Sequence, residues 1–81
     1  MAKNIVPLLK LREGEEGKIV DLKGGFGFQR KIRVMGLREG KKIRVISIQP
    51  VGGPITVGVG SNIVTIGRGM AQRVFVEVDQ Q

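Results

Sequence analysis

Eighty-one residues with 13 glycines and a net charge of +7, from 14 basic and 7 acidic side chains, describe one small basic domain spanning 1–81. The chain has no cysteine and no histidine, which excludes disulfides, thiol and imidazole catalysis, Cys/His zinc sites and haem ligation by histidine. Ser47 and Ser61 therefore lack an imidazole base, and the scattered acids form no evident general acid–base pair, so a binding module is expected and not an enzyme.

Ile5 to Leu9 is too short and too soon interrupted for a signal segment, and no apolar run approaches the roughly 20 residues of a membrane span. A cytosolic location follows as the expectation. Pro7, Leu8, Leu9 and Leu11 suggest a short turn that docks its leucines on the core, followed by a charged turn over Arg12–Gly17. Lys18–Leu22 reads as a strand of imperfect alternation. After Gly24, Gly25 and Gly27 the period changes: Phe28, Ile32 and Met35 stand at i, i+4 and i+7, one face of a helix, and Arg30 and Arg33 share another. Gly36 is placed as a left-handed cap, with Leu37 folding back over the last turn.

Lys41–Gln49 is the longest strand candidate. Ile43 and Val45 point one way and Ile46 and Ile48 the other, which predicts a bulge near Val45–Ile46. Pro50–Pro54 is a turn-rich connection, Ile55, Val57 and Val59 alternate, and Gly60-Ser61-Asn62 makes a hairpin turn to Ile63–Ile66. One tight or helical turn over Gly67–Gln72 leads to Val74, Val76 and Val78. The fold class expected is mainly β: a small, partly closed barrel of about five short strands, one inserted helix and a short turn of helix before the last strand.

The glycines make false phosphate loops. Gly24-Gly25-Phe26-Gly27 lacks the Gly-Lys-Ser/Thr of a P-loop, and Gly67-Arg68-Gly69 reaches Gln72 where a dinucleotide fingerprint has glycine, so both read as turns. Lys23 to Phe28, KGGFGF, resembles the first ribonucleoprotein motif of RNA-recognition and cold-shock families, and Arg73–Val78 echoes the second cold-shock motif. The alternative function is thus a barrel that binds single-stranded nucleic acid through Phe26, Phe28 and the neighbouring bases. Against it stands a content of aromatic residues of only 4% with no Trp or Tyr to build a stacking platform. Glu13, Glu15 and Glu16 cluster and could bind a divalent ion weakly through oxygen, the third reading being a metal sensor, which the family resemblance given next would make an iron sensor. No other cofactor and no firm metal site is expected.

Read in order, the segments Leu11–Gly17 (LREGEEG), Lys31–Gly40 (KIRVMGLREG), Pro50–Ile55 (PVGGPI) and Ile63–Val78 resemble the ferrous-iron transport protein A (FeoA) family over about Val6 to Val78. The middle segment carries the family's basic helix ending in Met-Gly-Leu, two residues, then Gly. The resemblance implies an SH3-like small barrel and a small cytosolic, non-enzymatic accessory of the ferrous-iron transporter FeoB. Transition metal ion binding is a label the family often carries. Similar domains end the iron-dependent repressors of the diphtheria-toxin-repressor type. The excess of bases between Lys23 and Arg44, opposed there by Glu39 among the acids that follow Asp21, marks the expected partner surface as the helix face: Phe26, Arg30, Lys31 and Arg33.

Overall fold

The computed structural model describes residues 3–79. Its elements, in order, are β1 (Lys3–Pro7), a single 3-10 turn (Leu8–Lys10), β2 (Glu16–Leu22), α1 (Phe26–Val34), β3 (Lys42–Ile48), β4 (Ile55–Val59), β5 (Asn62–Ile66), α2 (Arg68–Ala71) and β6 (Val74–Asp79). All strands pair antiparallel in one sheet of order β1-β6-β2-β3-β4-β5. The result is the mainly β, SH3-like barrel expected, with six strands where about five were read. The additional strand is β1. Leu8 and Leu11 are buried as anticipated, but Lys3 to Pro7 run alongside β6, from Lys3 opposite Asp79 to Pro7 opposite Phe75.

Two bulges curl the sheet around its contents. In β2 the register with β6 steps from Ile19–Val76 to Asp21–Phe75, leaving Val20 as an extra residue, so that Ile19 and Leu22, three apart, both enter the core. In β3 the step runs from Val45–Val57 to Ser47–Thr56, leaving Ile46 extra, at the place where the alternation slips. Past this second bulge the Ile48 N–H donates to the Glu13 carboxylate at 2.8 Å. The concave side then holds one cluster of buried apolar side chains, among them Ile19, Ile43, Val45, Val57, Val74 and Val76 from the sheet and Leu8, Ile32, Leu37 and Ala71 from the connections. No polar or charged side chain is buried among the described residues.

Helix α1 closes one side of this core through buried Ile32 and half-buried Phe28 and Met35. Its end is a Schellman motif. Leu37 N donates to Ile32 O at 3.1 Å and Gly36 N to Arg33 O at 2.9 Å, with Gly36 at φ +92°. Leu37, which follows the left-handed Gly36, is buried in the same cluster as Ile32, the pairing that characterises this cap.

The β3–β4 connection contains the one described non-glycine residue with positive φ. Gly53 N donates to Pro50 O, and the two central residues, Val51 at φ +59° and Gly52 at φ +76°, give a type I′ turn. A β-branched residue fits that region poorly, at a cost of about 1–2 kcal/mol, and Val51 is fully exposed, so its side chain returns nothing by packing. Val51→Asn creates the Asn-Gly pair that such turns favour and is expected to raise the melting temperature by about 4–8 °C, as about 1 kcal/mol does in a domain of this size. A calorimetric scan with no rise would count against the strain.

Candidate helix-face docking site

The strand β2 ends at Leu22, and the glycine pair Gly24-Gly25 then lets the chain turn into α1 with little side-chain bulk. The approach is close at Gly24: a Cβ there would lie 2.4 Å from the Phe28 ring. Phe28 thus folds back over the turn it follows. From the far side Arg73 places its guanidinium 5.7 Å from the ring centre, while Lys23 sits 4.8 Å over Phe75. The Gln29 side-chain amide donates to Leu22 O, which fixes the helix start to the end of the strand. Gly25 is the N-cap, and no side chain caps the helix and no acid stands in its first turn. The leading N–H groups therefore face outward with the positive end of the helix dipole.

These constraints leave an open groove of 630 Å³ lined by Gly24, Gly25, Phe26, Gln29, Arg30 and Arg33. Phe26 is 96% exposed and stands at its edge. Among the described residues neither Arg30 nor Arg33 meets a carboxylate. The groove therefore combines an apolar ring, two planar guanidinium donors and an uncapped helix start, a set suited to carboxylates carried on a partly apolar surface.

Of the residues predicted from sequence, the structure brings Phe26, Arg30 and Arg33 together. Lys31 is exposed but does not line the groove, because one residue along a helix is about 100° around it from Arg30. Gln29 was not foreseen. Its place on the stripe between Phe26 and Arg33 was the available signal, but its bond to Leu22 depends on how strand and helix meet. The three glutamates are not brought together as a metal site. Glu13 accepts from Ile48 N, Glu15 accepts from Arg12 N at 2.7 Å, and Glu16 pairs with Lys42 at 3.4 Å. No group of three potential ligands is assembled among the described residues. The aromatic platform is likewise divided: Phe28 packs on the core and Phe75 is half-buried on β6, so Phe26 alone presents a free ring. Among the described residues no helix is long and apolar enough to cross a membrane.

The FeoA domain family model matches residues 6–78. A protein of Methanocaldococcus jannaschii described as an Fe(2+) transport protein A is 34% identical over 71 residues, 88% of this chain and 84% of that one. Among solved structures, an iron uptake regulatory protein (FeoA) superimposes with a TM-score of 0.82 at 36% identity, over 93% of this chain and 99% of that one. A manganese-dependent transcriptional repressor superimposes with a TM-score of 0.84 at 22% identity, over 94% of this chain and 42% of its own length, a likeness of fold alone.

Proposed function

Since this chain belongs to the FeoA domain family, whose members are associated with ferrous-iron transport, we propose that it is a non-enzymatic cytosolic module that docks on the cytosolic part of a FeoB-type ferrous-iron transporter through the α1 face. The observation that carries this reading is the groove between Gly24 and Arg33, with a nearly fully exposed Phe26 beside two guanidiniums that meet no carboxylate among the described residues. An isolated exposed aromatic flanked by Arg is the usual make-up of an interface anchor. The partner surface that fits it is acidic with an apolar pocket for the ring. No step of this reading requires bound metal, and iron is the transporter's cargo.

The test is an amide NMR titration of the labelled protein with the transporter's cytosolic domain. Shifts are expected at Phe26, Gln29, Arg30 and Arg33. The double variant Arg30→Glu, Arg33→Glu should bind at least about tenfold more weakly, about 1.4 kcal/mol, with a melting temperature within a few degrees of the parent because both side chains are exposed. Undiminished binding by the double variant would refute the assignment of this face. A parallel titration with a short single-stranded oligonucleotide separates the nucleic-acid reading: saturable shifts at Phe26, Phe28 and Phe75 that persist at physiological salt would replace docking as the function.

A further inference from the structure

The sheet has two edges, β1 and β5, and they differ. Strand β1 ends at Pro7, which has no N–H to offer. Strand β5, Asn-Ile-Val-Thr-Ile, carries no proline and no charge, and such an edge is a template for another strand. Its free hydrogen-bonding groups follow from the hairpin. The two-residue Gly60-Ser61 loop makes Val59 and Asn62 the closing hydrogen-bonded pair, so Val64 and Ile66 also bond to β4. Ile63 and Thr65 therefore turn their N–H and C=O groups away from β4, and among the described residues no backbone group outside the sheet takes them up.

We propose that β5 is a self-association edge, through which two copies of this chain pair antiparallel about a two-fold axis beside Val64. The register is self-complementary: Ile63 lies opposite Thr65 of the second copy and Thr65 opposite its Ile63, and each pair exchanges two hydrogen bonds. Charge favours this edge over the rest of the surface for that occupant. Two chains of net charge +7 repel, yet from Val45 to Gly67 no residue is charged, so β4 and β5 form the face by which like-charged copies can approach. The outer surface beside the edge is apolar as far as Gly58, with the exposed Arg44 opposite Gly58 on β3. Ile63, 71% exposed, flanks Gly58, and the Ile46 side chain lies over Gly58 from the other side, 3.3 Å from where its Cβ would be. Pairing would join two such bands into one, and the two-fold axis closes the assembly at a dimer. This edge is separate from the α1 groove.

Sedimentation velocity on the whole protein, from about 10 μM to roughly 1 mM, tests this at the concentrations expected for a small interface. The weight-average mass should rise from 8.8 kDa towards twice that value. Thr65→Pro removes an outward N–H while leaving the β4 ladder intact, and Ile63→Lys places a charge opposite its neighbour. Each should weaken the dimer at least about tenfold, read as a shift of the transition to higher concentration. Hydrogen exchange should slow at the Ile63 and Thr65 amides as the dimer forms. A monomer at every concentration, as expected if this edge instead receives an extended segment of another protein, overturns the proposal. So does a dimer indifferent to Ile63→Lys, or exchange protection that appears elsewhere.

Discussion

Leu37→Ala is expected to lower the melting temperature by roughly 15 °C or more. Leu37 is fully buried and is the residue by which the helix cap is anchored against Ile32. Truncating such a side chain costs about 2–5 kcal/mol, transfer loss and cavity together, and in a domain of this length each kcal/mol moves the transition about 4–8 °C. The whole stability of an 81-residue chain is on the order of 4–12 kcal/mol, so the loss is a large part of it. The backbone bonds of the cap survive the substitution, which assigns the effect to packing. Leu37→Met, close to volume-conserving, should cost less than about 1.5 kcal/mol. A melting curve for the alanine variant within two or three degrees of the parent would show that α1 is not held through this residue.

Gly24→Ala is expected to disrupt the α1 groove without altering any charge. The new methyl carbon would lie 2.4, 2.7 and 2.9 Å from Cδ2, Cγ and Cβ of Phe28. Those atoms are near the root of the side chain and cannot move aside by a simple rotation while the ring stays packed on the core and under Arg73. Either the helix start shifts or Phe28 leaves its rotamer, at a cost typical of overpacking, about 1–3 kcal/mol. Both outcomes displace Phe26 and Arg30. The variant should therefore lose stability and weaken the proposed docking on the transporter domain, with altered amide shifts from Lys23 to Arg33 before any partner is added. Gly25→Ala and Gly27→Ala supply the contrast, since a Cβ at either meets nothing within 4 Å. Equal stability losses at all three positions would remove the steric explanation.

Where a structural feature has a local cause, it could be read from the residues. The helix announced itself through Phe28, Ile32 and Met35 and stopped at Gly36, because amphipathic spacing and a left-handed cap are short-range signals. The bulge at Ile46 was visible as a slip in alternation. The bulge at Val20 showed only as irregular alternation, since locating it requires the pairing with β6. Strand β1 was hidden for the same reason. Lys-Asn-Ile-Val-Pro has no strong periodicity, and what makes it extended is a partner more than 60 residues away in sequence. At the candidate site, Arg30 and Arg33 could be grouped from helical spacing, whereas Phe26 read as part of the glycine turn, because α1 starts two residues before the Phe28 at which the apolar spacing begins. The separation of Glu13, Glu15 and Glu16 could not be read in this way, since their partners come from β3 and from the turn's own backbone.

Lys3 stands directly opposite Asp79, so the polypeptide comes in and goes out through neighbouring strands at the edge of the sheet remote, in strand order, from β5. A domain built this way is a cassette. It can be spliced into a loop of a host protein or hung from either end of one without prising its own layers apart, because the splice points need only the few ångströms between two paired strands. The helix groove and the β5 edge belong to other parts of the chain, so such a graft leaves their residues unchanged. A repressor in which the same fold makes up less than half the length is an architecture that this arrangement of ends permits.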